Sequence, residues 1–346
     1  MIGLHAIEPG ILAARGRHWS VILSTRALWT TPALLAALIV LSCIALCAGP
    51  TWLSCAELYA ALTGTGPTGL QLLVNELRLP RIVAGVLAGA ALGCAGCLIQ
   101  ALSRNRLATP DMLGVSDGAA LGIFIGLAAG GTGLMGPWWV GPLGALGALA
   151  LLALAAGRIG PSVLIVGVGV ASLLRALTEL ALSRQELMHA SALYTWSVGS
   201  LTGRGYAAAL PLAAGLLLLL PLASMLSRRL ALLGLGPDLA SALGVPLRAT
   251  QWQALFLAVI LSGLAVGVCG PIAFVALAAP YIATRLQGGI APAASAVSGA
   301  MLVLAADALG RIVLDGAELP AGVICNLLGG PFLLWLVLSE RAGESN

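Results

Sequence analysis

Ionisable side chains are scarce in this 346-residue chain, and a few of them fall inside long apolar runs. Arg175 and Glu179 lie four apart in one such run, and Asp307 and Arg311 repeat the spacing in reverse order at the end of another. Residues four apart share a helix face, so each pair can neutralise itself as a structural ion pair. Ionisable groups in lipid otherwise face a cavity or the bundle interior, so Arg175, Glu179 and Asp307 are equally candidates for a transport pathway. Neither role is catalytic. All seventeen basic residues are arginine. A Walker A loop needs a lysine to reach the nucleotide phosphates, so any ATP hydrolysis is expected on another subunit. His5, His18 and His189 do not cluster, and no metal site is expected. Cys94 and Cys97 form a CxxC set among glycines and alanines, which reads as small-residue packing between helices. No catalytic residue and no cofactor is expected.

The elements that carry these residues are membrane helices. Hydrophobic residues make up 60% of the chain and charged residues 9%, far below the roughly 25% charge of a soluble domain. The formal charge of +4 is no nucleic-acid signal at this composition. The apolar runs are long and continuous, whereas a transmembrane barrel needs short alternating segments. The fold class is therefore all-α and polytopic. Ten spans are expected, near residues 28–48, 82–102, 113–129, 138–156, 162–182, 207–226, 252–268, 271–286, 291–310 and 321–338. The eighth is short and carries Pro280, so it reads as a short or half-buried helix. A further short helix is expected around 194–201, inside the polar connection after the fifth span. Gly85, Gly89 and Gly93 recur every four residues in the second span, a spacing that lets helices approach closely in lipid. No cleavable signal peptide is evident at the N-terminus.

With the N-terminus in the cytoplasm, ten crossings put eleven of the seventeen arginines inside and five outside, and return the C-terminus to the cytoplasm. The organisation expected is a cytoplasmic segment 1–26, one transmembrane domain 27–340 and a cytoplasmic tail 341–346. Arg78, Arg81 and Arg311 then sit at outer ends of spans, where the rule disfavours them. They either snorkel to headgroups or anchor carboxylates of an extracytoplasmic partner. Residues 228–250 form the one sizeable cytoplasmic loop. It reads as two short helices broken at Gly236–Pro237 and Gly244–Val245–Pro246. Its apolar positions, Leu235, Leu239, Ala242 and Leu243, suit a compact docking knob better than a solvated connector.

Several stretches in order resemble the permease subunit of bacterial ABC importers for iron siderophores, haem and vitamin B12, the FecCD family. They are LRLPR at Leu77–Arg81, GAALGCAGCLIQALSRN at Gly89–Asn105, LGVSDGAALG at Leu113–Gly122 and WSVGSL at Trp196–Leu201. LGPDLASALGV at Leu235–Val245, GPIAFVALAAPYIA at Gly270–Ala283, AADALGR at Ala305–Arg311 and ELPAGVICNLLGGPFLLWL at Glu318–Leu336 complete the set. The resemblance implies the ten-helix type II importer permease fold in the bacterial inner membrane. It implies a pathway shared with a second permease subunit, as homodimer or heterodimer. Its other implied partners are two cytoplasmic ATPase subunits, a periplasmic substrate-binding protein and a metal-chelate substrate. It assigns Arg78, Arg81 and Arg311 to binding-protein docking. It assigns Leu235, Gly236, Asp238, Ala242, Leu243 and Gly244 to ATPase coupling.

TPDMLG and the surroundings of Trp196 look nearer to siderophore permeases than to the vitamin B12 permease; haem or vitamin B12 is the alternative cargo. The chain departs from the family pattern at RNRLATP, where RNPLADP is usual, so Arg106 replaces a proline and Thr109 an aspartate. It departs again at Pro280–Tyr281, where a histidine usually follows the proline. An ion-coupled secondary transporter is the rival from another class. It would favour intramembrane carboxylates and broken helices in both halves, whereas Glu179 and Asp307 each have an arginine four residues away. A membrane scaffold would need neither the glycine-rich bundle nor the docking knob.

Overall fold

The computed structural model describes residues 3–8, 11–15, 20–128, 138–156, 162–183, 194–314 and 318–344. The chain opens on a small antiparallel meander, β1 (Gly3–Glu8), β2 (Ile11–Arg15) and β3 (Ser20–Ser24), in the order β1-β2-β3. The regular elements after it, among the described residues, are all helical.

Ten helices occupy the ten expected spans. They are α1 (Thr25–Cys47), α4 (Leu79–Ser103), α5 (Val115–Ala128), α6 (Val140–Ala156), α7 (Ser162–Ser183), α8 (Tyr206–Gly234), α10 (Leu247–Cys269), α11 (Val275–Gln287), α12 (Pro292–Ile312) and α13 (Ala321–Glu344). Among the described residues, the short helices α2 (Cys55–Leu62), α3 (Thr68–Leu72) and α9 (Pro237–Ala242) and a 3-10 turn, Pro110–Leu113, lie between them. A π-helical turn, Leu73–Arg78, joins α3 to α4. Among the described residues six helices are long and apolar enough to cross a membrane, and three shorter apolar ones accompany them. α11 is the exception. Thirteen residues span only about 20 Å at 1.5 Å per residue, less than the bilayer core. It is buried along most of its length and enters from Phe274, whose φ is +73°.

α4 is the central helix. Its glycine face meets α12 so closely that a Cβ at Gly89 would collide with the Gly299 carbonyl, and one at Gly93 with the Ser295 carbonyl. The four-residue glycine spacing is therefore a seam between two backbones. A helical turn at residues 194–197 carries Trp196, which is 1% exposed and packs edge-on against Phe124 of α5 at 6.0 Å.

The boundaries differ from the expectation mainly around residues 226–252. α8 continues to Gly234, because residues 227–233 contain neither proline nor glycine, and α10 begins at Leu247, directly after Pro246. The loop thus contains one free helix, α9, instead of two. The segment between α1 and α4, which lies outside the expected spans, contains α2. Its start is fixed by a reciprocal cap between Ser54 and Glu57.

Candidate functional site

At one end of the bundle, Arg78, Arg81 and Arg311 converge from the start of α4 and the end of α12. They do not project outward: they are 6%, 9% and 4% exposed. Arg81 holds Asp307 through Nη2 at 2.9 Å and Nε at 3.0 Å, and Glu318 through Nη1 at 2.7 Å. Arg311 lies 3.2 Å from the other Asp307 oxygen through Nε, so the expected four-residue pairing forms. Its Nη1 donates to the Ala48 carbonyl at 2.9 Å. Arg78 donates to the carbonyls of Leu46 at 2.6 Å, Cys47 at 3.1 Å and Thr51 at 2.7 Å. Those carbonyls belong to the end of α1 and the turn after it, where the last turn of a helix has no intrahelical donors left. Arg78 is a side-chain cap for α1, placed where its charge also opposes the helix dipole.

Arg81 and Arg311 thus share Asp307, Arg81 also holds Glu318, and Arg78 is bound by backbone carbonyls and the Thr51 hydroxyl. Asp307 is 1% exposed, whereas the Glu318 side chain is 39% exposed. Glu318 is the one acid of the cluster that solvent reaches readily. Asp307 Oδ2 accepts no hydrogen bond and Arg311 Nη2 donates none, so the cluster retains unused bonding capacity on both sides.

Midway along the bundle, Arg175 makes its ion pair with Asp117 of α5, Nε to Oδ1 at 3.2 Å, rather than with Glu179 one turn along its own helix. The Gly114 turn that opens α5 packs against Ala171 of α7, which brings Asp117 within reach. Arg175 and Glu179 nevertheless line one cavity of about 400 Å³ with Asp111, Asp117, Thr178 and Ser197. Asp111 is hydrogen-bonded by the Ser116 hydroxyl, and burial pushes its carboxyl above the usual range. The two aspartates sit in TPDMLG and LGVSDG, stretches whose acids gave no separate signal in the sequence. On α7 the polar side chains of Ser172, Arg175 and Glu179 are exposed together. Such a stripe on an apolar helix does not face hydrocarbon.

At the opposite end from Asp307, α9 projects from the bundle. Gly236 and Gly244 bound it with φ of +118° and +80° and open space where a side chain would stand. Leu235, Leu239 and Leu243 are 61%, 50% and 55% exposed, and Asp238 and Ala242 are exposed beside them. Ala240 and Val245 are buried and tie the helix down. Arg104, which ends α4 in a left-handed conformation (φ 54°), donates to the Leu233 carbonyl at the end of α8. The polar turn after α4 is therefore bonded directly to the base of the projecting helix, a link the sequence did not signal.

A ten-helix bundle with a buried charge cluster at one end, a polar cavity midway and a tethered apolar knob at the other is a membrane permease. More particularly, the chain belongs to the FecCD transport family, whose model matches residues 37–339. It is 35% identical over 327 residues to the ferric enterobactin transport system permease protein FepG of Escherichia coli (strain K12), covering 92% of this chain and 98% of that one. It is 37% identical over 301 residues to the achromobactin transport system permease protein CbrC of Dickeya dadantii (strain 3937), covering 85% and 86%. Among solved structures it matches one described as a metal-chelate type ABC transporter in an inward-facing conformation. The TM-score is 0.80 at 27% identity, over 90% of this chain and 99% of the other. The expected all-helical importer-permease fold is the fold observed.

Proposed function

We propose that this chain is the permease subunit of an ATP-driven importer that carries a ferric siderophore, or a similar iron chelate, inward across a bacterial inner membrane. The likeness along nearly the whole chain to the permeases for ferric enterobactin and achromobactin carries the choice of cargo. Both termini lie in the cytoplasm in this reading. Its partners are a second permease subunit, two cytoplasmic ATPases and a periplasmic binding protein.

Each site then has a task. α9 and its flanks, residues 228–250, receive the ATPases: three exposed leucines on a short tethered helix suit insertion into a partner's groove. Nucleotide-driven closure of the ATPases moves α9, and the Arg104–Leu233 bond passes the displacement to α4 and the turn leading to α5. α7 lines the passage with its polar stripe, and the Arg175–Asp117 bridge sits where one gate opens and closes. The cargo is bulky and meets polar and small groups.

The binding protein docks over the Arg78, Arg81 and Arg311 cluster. An incoming carboxylate competes with Glu318, the exposed acid, for the guanidinium of Arg81. Glu318→Gln is the discriminating variant, because it leaves the buried Asp307 pairs in place. Docking of the binding protein should tighten or gain rate in this variant; unchanged docking kinetics would remove the cluster from the docking surface. For the function as a whole, iron-chelate uptake into vesicles should require the ATPase subunits and ATP, and should be indifferent to ionophores that collapse ion gradients. Uptake that follows the ion gradient without ATP would establish the ion-coupled alternative.

A further inference from the structure

The turn between α1 and α2 is wound around the Arg78 guanidinium. Arg78 donates to the carbonyls of Leu46, Cys47 and Thr51, and Gly49 lies so close that a Cβ there would stand 2.8 Å from its Nη2. Leu53 donates its backbone N–H to the Cys47 carbonyl at 3.1 Å, which folds the chain back onto the end of α1. The Ser54–Glu57 cap then starts α2 at Cys55. The last residue of α1 and the first of α2 are therefore both cysteines, and their thiols stand in direct side-chain contact. Cys47 is half-buried and Cys55 is exposed. Cys94, Cys97, Cys269 and Cys325 are buried in the bundle and shielded from any oxidant. Cys43, exposed one turn back on the same face of α1, is the competing partner.

We propose that Cys47 and Cys55 are a modification site, an oxidisable thiol pair that closes to a disulfide on the periplasmic side. A disulfide forms without strain only where the backbone already brings two thiols together. Here the Arg78 bonds, the Leu53 bond and the helix cap do so before any oxidation. The step is thiol–disulfide exchange with a protein disulfide of a periplasmic oxidant. The Cys55 thiolate attacks one oxidant sulfur, and a mixed disulfide forms as the other oxidant sulfur leaves as a thiolate. The Cys47 thiolate then attacks Cys55 Sγ and displaces the second oxidant thiolate. The pair has lost two electrons, and its two protons end on the oxidant, whose disulfide has become a dithiol. The bond fastens α2 to the end of α1 around Arg78, and so fixes the frame of the cluster over which the binding protein is proposed to dock. The compartment rests on the orientation proposed above; the pairing of the two thiols does not.

The test uses the full-length permease, assembled with its partners in detergent, equilibrated with oxidised glutathione, acid-quenched and alkylated. After chymotryptic cleavage at Trp52 and Leu53, the peptides carrying residues 47 and 55 should remain joined until reductant is added. Cys43→Ser should leave that product unchanged. Cys47→Ser and Cys55→Ser should each abolish it while the assembly persists. Amide exchange in the turn, residues 48–53, should slow about tenfold on oxidation, because the closed loop has fewer open states to visit. Two alkylated thiols after equilibration, or a Cys43–Cys55 product in place of the expected one, would overturn the proposal. Wild-type cells quenched in acid should carry the linked pair; a fully reduced pair would overturn its oxidation in the cell. Compartment is read separately. Cys55 in the Cys47→Ser variant should react with a membrane-impermeant maleimide added to intact spheroplasts. Absence of that labelling would overturn the periplasmic placement, while the pairing measured in detergent would stand or fall by itself.

Discussion

The two ends of this bundle use the same side chain in opposite ways. At the Asp307 end, three arginines are buried among two carboxylates and the carbonyl ends of α1. At the other end, Arg26, Arg106 and Arg285 line an open cavity, and α9 offers bare leucines. The first arrangement stitches elements distant in sequence: α1, α4, α12 and the segment before α13. The second leaves the leucine face of α9 exposed. A charged residue in a membrane protein is thus informative only together with its partners, because sequence position alone gives the same expectation for a stitch and for a receptor.

The sharpest way to break this comparison is Asp307→Ala. It leaves Arg81 and Arg311 buried with one partly exposed acid between them. Removing one partner of a buried ion pair costs about 3–5 kcal/mol, so folded yield and thermal midpoint in detergent should both fall steeply. Arg175→Gln is the matched control. That side chain is 68% exposed, and exposed pairs are worth about 0–1 kcal/mol, so its midpoint should barely move. Equal losses in the two variants would mean that the Asp307 cluster is no more structural than the Arg175–Asp117 pair.

The middle-sized effect belongs to the other end. Gly244→Val places a β-branched residue at φ +80°, where a side chain costs about 1–2 kcal/mol. Nothing lies within 4 Å of the new Cβ, so the bundle itself should stay folded while the end of α9 is re-aimed. ATP hydrolysis by the assembled transporter should persist and chelate uptake should fall severalfold. Uptake in step with hydrolysis would show that α9 is not the coupling element.

The spans were legible because hydropathy over about twenty residues is a strong signal. Their ends were less so. α8 runs eight residues past its expected end at Leu226, since apolar content falls there while helix-forming residues continue to Gly234. The Asp307–Arg311 pairing was readable from a four-residue spacing. The Arg175–Asp117 bridge was not, because it depends on how closely Gly114 lets α5 approach α7. Burial of Arg78 was equally hidden: its acceptors are backbone carbonyls, which every residue possesses and no sequence pattern marks.

The smallest effect tests whether the connection between α1 and α4 is held by similar logic at its exposed edge. Ser54 donates to Glu57 Oε2 through its backbone N–H at 2.8 Å and its hydroxyl at 2.7 Å. These two bonds hold the Glu57 carboxyl below its ordinary range. A carboxylate depressed on folding stabilises α2 above its unfolded value, about pH 4, and that contribution disappears as pH falls through the folded value. Glu57→Gln should therefore speed amide exchange in α2 at pH 6. The difference from wild type should shrink as the pH is lowered through the carboxylate range. A difference that stays constant down to pH 3 would mean that the ionised carboxylate is not what caps the helix. The connection would then be held from its buried side alone, by Leu58 and Ala61 packing on the helices around Arg78.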